Sequence, residues 1–129
     1  MARKQFSDEV RARKREDILD AAMAVFEKSG GLEAVSFRSL AAELGLSYSA
    51  PYRYFKNKEE LVNALRARAF RWMEQGIQQA TTKGDNPEKQ LELLAKAYIQ
   101  NGIERPNRYA LMFFDLDNTE VAKRSLELK

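Results

Sequence analysis

Apolar positions recur at helical spacing along most of this chain. Between Ser7 and Lys28, residues Ile18, Leu19, Ala22, Val25 and Phe26 fall on one face, opposite Arg15, Asp17, Asp20 and Glu27. This predicts a helix over 7–28, stopped by Gly30 and Gly31 acting as a left-handed cap. Ser36 can cap a second helix by accepting a bond from a free backbone N–H. There Phe37, Leu40, Ala41 and Leu44 repeat the spacing until Gly45 ends it. A third, short helix is expected from about Ser49 to Phe55. Ser47 or Ser49 would cap it, and Pro51 would sit in its first turn, where proline is tolerated.

Lys56-Asn57-Lys58 interrupts the pattern. A long fourth helix then runs over 58–82, with Leu61, Val62, Leu65, Ala69, Trp72, Met73 and Ile77 as its apolar stripe. Polar residues 82–87, including Gly84, Asp85, Asn86 and Pro87, separate it from a helix over 87–104 bearing Leu91, Leu94, Ala95, Tyr98 and Ile99. Pro106 and Asn107 open another helix, lined by Tyr109, Met112, Phe113 and Leu116, and residues 119–128 are expected to form a last short one. No strand signal or internal repeat interrupts this reading. The expected fold is all-α: a three-helix homeodomain-like helix-turn-helix head over 1–58, joined by the long fourth helix to a partial helical body over 59–129. The body helices present apolar stripes with few later helices to cover them, so further chain or a partner is expected there.

Composition narrows the chemistry. The 129 residues contain neither Cys nor His. Disulfides and thiolate metal sites are thereby excluded, and the usual neutral-pH base and commonest metal ligand are missing. Neither a cofactor nor a metal is expected. An enzyme would need a carboxylate, Lys or Tyr as its base, and pairs such as Asp115 and Asp117 read as turn and cap residues instead. No apolar run reaches membrane-spanning length, and the charged N-terminus lacks the apolar core of a signal peptide, so a cytoplasmic location is expected. Net charge is +3, and residues 1–58 carry the whole excess, with 11 Lys and Arg against 8 Asp and Glu. A basic head on a neutral body suits a polyanion partner, although so small an excess is also common in proteins with none.

The segment from Phe37 to Phe55 supplies the sharper signal. A DNA-reading element must enter a major groove about 12 Å wide while a neighbouring helix holds it against the backbone. Leu44-Gly45-Leu46-Ser47 provides a tight turn, Ala41 allows close helix approach, and Leu46 and Phe55 are placed as anchors. Tyr48, Ser49, Ala50, Pro51 and Arg53 should then face outward. Ser49 and Arg53 can pair with base edges or phosphate, and Ala50 and Pro51 can pack on thymine methyls. Tyr52, Tyr54 and Lys58 carry donors for flanking phosphates, and Ser36, Arg38 and Ser47 complete the DNA-facing set. The helix N-termini add free N–H groups. Tyr52 and Tyr54 lie two apart on a helix, so at least one should be exposed. An alternative, a helical interaction module, would leave exposed Ser49, Tyr52, Arg53 and Lys58 without a role.

Residues 13–61 resemble the DNA-binding domain of the TetR family. The matching segments are Ile18-Leu19-Asp20-Ala21-Ala22 with Phe26 and Gly30, then Ser36-Phe37-Arg38-Ser39-Leu40-Ala41 and Leu44-Gly45-Leu46-Ser47. Tyr52-Arg53-Tyr54-Phe55 and Lys58-Glu59-Glu60-Leu61 complete them. Tyr54 departs from the histidine many members carry, and Pro51 stands where leucine or threonine is common. The resemblance implies a homodimeric repressor that reads a palindromic double-stranded DNA operator and leaves it when a small molecule binds the body. Phe70, Met73, Tyr98, Tyr109, Met112 and Phe113 are the candidates to line such a site, which would suit an apolar or aromatic effector. At helical spacing such side chains are more often plain core. Members usually continue well beyond residue 129, so the helices that pair two copies are expected outside this chain, which would then be a truncation.

Overall fold

The computed structural model describes residues 2–113, and every element among them is helical. Residues 114–129, which hold Leu116, Asp115, Asp117 and the helix expected over 119–128, lie outside the described residues. The α-helices are α1 (Ala2–Ser29), α2 (Phe37–Leu44), α3 (Lys58–Thr81), α4 (Pro87–Glu104) and α5 (Pro106–Phe113). Two short 3₁₀ turns, Leu32–Ala34 and Ala50–Arg53, lie between α1 and α3. Contacts divide the chain into two compact units, Met1–Leu65 and Arg66–Lys129, and α3 contributes residues to both.

In the first unit, α1 buries Ile18, Leu19, Ala22, Met23 and Phe26 and packs against α2 and the first 3₁₀ turn. Phe37, Leu40 and Ala41 from α2, Phe55, and Leu61, Val62 and Leu65 from the start of α3 complete this core. No buried polar or charged side chain interrupts it among the described residues. Helix α1 begins at Ala2, several residues before the expected Ser7. Its first two turns are exposed and carry no apolar period, so nothing in the hydrophobic pattern marks them. Gly30 ends α1 as expected, at φ 73°, its N–H bonded to the Phe26 carbonyl. Asn57, expected only to interrupt, caps α3 by accepting from the Glu60 N–H at 2.9 Å.

In the second unit, α4 packs against α5. Ala69, Met73, Leu111 and Met112 are buried. The Arg66 Nε–H donates to the Leu111 carbonyl at 2.8 Å, and the Arg108 guanidinium lies 4.9 Å from the centre of the Trp72 ring. Asn86 caps α4 by accepting from the Lys89 N–H at 2.8 Å, with Pro87 in the first turn, where its missing N–H costs nothing. Glu92 lies between Lys96 (3.0 Å) and Lys89 (3.3 Å), whose hydrogen bonds hold its carboxyl below the ordinary value. Helix α4 buries none of its residues, and Leu91, Ile99 and Ile103 are exposed.

Candidate nucleic-acid interface

The interface begins with the way α2 is fastened at both ends. Ser36 has extended backbone, and its Oγ accepts from the Ser39 N–H at 3.1 Å, while the Ser39 Oγ accepts from the Ser36 N–H at 3.4 Å. This reciprocal capping box satisfies two donors that a helix start leaves unpaired. At the other end Gly45 turns left-handed, at φ 67° and ψ 29°. The Leu46 N–H then reaches the Ala41 carbonyl at 2.8 Å and the Gly45 N–H reaches the Ala42 carbonyl at 3.4 Å. That bond pair is the Schellman closure, which glycine makes without steric cost.

The element that follows differs from expectation. In place of an α-helix over 49–55, the chain forms a 3₁₀ turn over Ala50–Arg53. Proline explains the difference. Pro51 has no N–H to give to the Ser47 carbonyl, so that carbonyl takes the Ala50 N–H at 3.0 Å and the turn tightens. The Tyr52 N–H follows to Ser49 and the Tyr54 N–H to Pro51, both i to i−3. Neither Ser47 nor Ser49 caps the turn; their hydroxyls lie 3.4 Å from each other instead. One turn of this kind has little of the dipole or free N–H array expected of a helix N-terminus.

Side-chain placement follows. Tyr48, Ser49, Tyr52 and Arg53 face solvent, with Tyr48 and Tyr52 58% and 59% exposed. Ser36, Arg38, Ser47 and Lys58 are also exposed, and Ala50 and Tyr54 are half-buried. Pro51, expected to face outward against thymine methyls, is fully buried and serves the core. Phe55 is fully buried as expected, whereas Leu46 is half-buried. The exposed rings are held from behind: Tyr52 packs edge-on against Phe37 at 4.5 Å, and the Arg38 guanidinium sits 5.1 Å from the Tyr48 ring centre. The Lys58 ammonium donates to the Leu32 carbonyl at 2.6 Å, tying α3 to the first 3₁₀ turn with one of its three donors.

Two cationic neighbours of the turn were not among the candidates expected from sequence. The Arg11 guanidinium donates to the Arg53 carbonyl at 3.1 Å and lies 6.0 Å from the Tyr54 ring centre. The Arg15 guanidinium lies 4.9 Å from the Phe55 ring centre. The available signal was the run Arg11-Ala12-Arg13-Lys14-Arg15, four cations in five residues, ahead of the first buried residue of α1.

The body candidates separate into two kinds. Met73 and Met112 are buried. Phe70, Tyr98, Tyr109 and Phe113 form a chain of rings: Phe70 to Phe113 at 5.9 Å, Phe113 to Tyr109 at 4.9 Å and Tyr109 to Tyr98 at 5.4 Å. The Tyr109 hydroxyl donates to that of Tyr98, and this bond, with some burial, pushes the Tyr109 phenol up to about 12. Among the described residues no helix is long and apolar enough to cross a membrane.

A capped helix, a left-handed glycine turn and a solvent-facing turn seated on one apolar core define a helix-turn-helix head. The family model described as bacterial regulatory proteins, tetR family, matches residues 18–65, so the head carries the DNA-binding domain of that family. Similar curated proteins include the HTH-type transcriptional repressor KstR of Mycobacterium tuberculosis, 30% identical over 94 residues, covering 73% of this chain and 42% of that protein. KstR of Mycolicibacterium smegmatis is 29% identical over the same length, covering 73% and 46%. The nucleoid occlusion factor SlmA of Serratia proteamaculans is 34% identical over 58 residues, 45% of this chain and 29% of that protein. The chain thus spans less than half the length of the curated relatives it matches. A solved structure of a candidate transcription regulator from Lactobacillus plantarum shares the fold, with a TM-score of 0.55 at 20% identity over 89% of this chain and 68% of that one.

Proposed function

We propose that this protein is a sequence-specific DNA-binding transcriptional regulator, a repressor that a small-molecule effector releases from a palindromic operator. The observation that carries the reading is the exposed face of the Ala50–Arg53 turn and the residues before it. There Tyr48, Ser49, Tyr52 and Arg53 are exposed on a fastened scaffold, the two tyrosine rings steadied by Arg38 and Phe37. Ser49, Ala50 and Arg53 read base edges. Ser36, Arg38, Ser47, Tyr48, Tyr52, Tyr54 and Lys58 contact the phosphates on either side. The similarity to the KstR repressors supports this, since the match extends beyond the head.

Two copies acting as a homodimer in the cytoplasm would place two heads on the halves of one operator, one helical turn or a multiple of it apart. The half-exposed rings of Phe70, Tyr98, Tyr109 and Phe113, together with the buried Met73 and Met112, suit an apolar or aromatic effector.

Selection of bound duplexes from random DNA tests the reading. Enrichment of an inverted repeat is expected, and enrichment of a single unrepeated motif would remove the dimer. Replacing Tyr48, Ser49 and Arg53 together with Ala should abolish the preference while the circular-dichroism melt stays in place. If the triple variant still prefers the selected duplex, reading by this turn is wrong.

A further inference from the structure

We infer that the amino-terminal half of α1 belongs to the DNA interface: Arg11 and Lys14, with Arg53 and Tyr54, form a groove that takes a backbone phosphate of duplex DNA. The inference rests on the DNA-binding reading above and extends it to residues well before the helix-turn-helix. Ser7, Arg11 and Lys14 lie at i, i+4 and i+7, so the exposed start of α1 presents them in one stripe. That stripe faces the end of the reading turn across an open groove of about 460 Å³, lined by Ser7, Val10, Arg11, Lys14, Arg53 and Tyr54.

Its chemistry is one-sided. Three cations and two hydroxyls line it, and no carboxylate does. Such a lining selects an anion that accepts several hydrogen bonds, and a phosphodiester is the anion that lies beside any base the turn reads. A smaller hollow on the other side of Arg11 includes Asp8 and is less suited to an anion. Arg11 is held in place by its bond to the Arg53 carbonyl, which uses part of a five-donor guanidinium and leaves the rest available. Arg15, stacked on Phe55, fastens the next turn of α1 to the same core.

Arg11 could instead serve only to position Arg53, and the two roles differ in their salt dependence. The intact chain is titrated onto the duplex it selects from random DNA and onto a scrambled duplex of the same bases, at salt from 50 to 200 mM. Each phosphate contact contributes about 0.9 to the slope of log affinity against log salt. Lys14→Ala and Arg11→Ala should each make the loss of affinity across this range about 3.5-fold smaller, and the double variant about 12-fold smaller. Both duplexes should be affected equally, because a phosphate carries no sequence. Arg11→Lys should keep the slope. Wild-type slopes in all variants, or loss of preference alone in Arg11→Ala, would overturn the proposal. Should wild type show no preference yet Lys14→Ala still flatten the slope, the regulator reading fails and the groove stands. Binding to neither duplex rejects both.

Discussion

Two glycines of the head make a controlled experiment in backbone strain. At both Gly45 and Gly31 an added Cβ would meet nothing within 4 Å, so neither substitution creates a clash. Only the backbone differs. Gly31 is extended, at φ −150° and ψ 155°, where alanine sits without strain. Gly45 is left-handed, at φ 67°, where a Cβ crowds the following carbonyl at a cost of about 1–2 kcal/mol. Alanine also restricts the unfolded chain, favouring folding by about 0.4–1 kcal/mol at either site. Gly31→Ala should therefore stabilise the protein slightly, Gly45→Ala should cost on the order of 1 kcal/mol, and their difference isolates the strain. At roughly 4–8 °C per kcal/mol for a unit this size, the two melts should separate by about 4–16 °C. Gly45→Asn should recover part of the loss, because asparagine tolerates this conformation. Equal melting temperatures for the two alanine variants would show that the turn after α2 carries no strain and that the closure described here is wrong.

Other consequences follow from the same contacts. Ser36→Ala removes one side of the capping box and should cost about 1 kcal/mol in denaturant unfolding, with Ser36→Asp close to wild type. Phe55→Ala empties a fully buried site and should cost about 3–5 kcal/mol, enough to abolish the cooperative melt of the head, whereas Phe55→Leu should retain it. Pro51→Ala restores an N–H that can reach the Ser47 carbonyl, and the gain in helical circular dichroism should be at least one residue's worth if proline is what holds the turn in 3₁₀ form. In the body, Tyr109 should ionise at about 12 rather than 10.0, read by tyrosinate absorbance, and Tyr98→Phe should return it to the ordinary range. The folded state favours the neutral phenol, so this stabilisation is complete below pH 10 and is lost as pH rises towards 12.

The parts legible in the sequence are those with local physical signatures. Ser36 and Gly45 announced the ends of α2 because capping and left-handed closure each depend on one residue type. Most of the buried faces of α1 and α2 followed from spacing, although Met23 was missed and Val25 and Leu44 are only half-buried. Of the two tyrosines, the exposure of Tyr52 and partial burial of Tyr54 match the argument that they cannot point the same way. The third element was misread because four residues of 3₁₀ turn and one turn of α-helix have nearly the same apolar spacing, and the balance was set by a single missing N–H at Pro51. Its burial reversed the role expected of it. The exposed start of α1 was missed for lack of any period, and the Arg11–Arg53 bond joins residues 42 apart, a distance over which local pattern carries no information. Asn57 was read as a breaker where it is a cap, because the two uses of asparagine look alike until the N–H it accepts from is known.

If the face bearing Ser49 and Arg53 reads DNA as proposed, it distinguishes one base sequence from another. This is measured by competition at physiological salt between the selected duplex and copies altered at one base pair. Each alteration at a read position should cost about 1–3 kcal/mol, a loss of roughly 5- to 150-fold, and Arg53→Ala should erase the penalty at one position while leaving the others. Superimposed competition curves for every altered duplex would mean that this face reads no sequence.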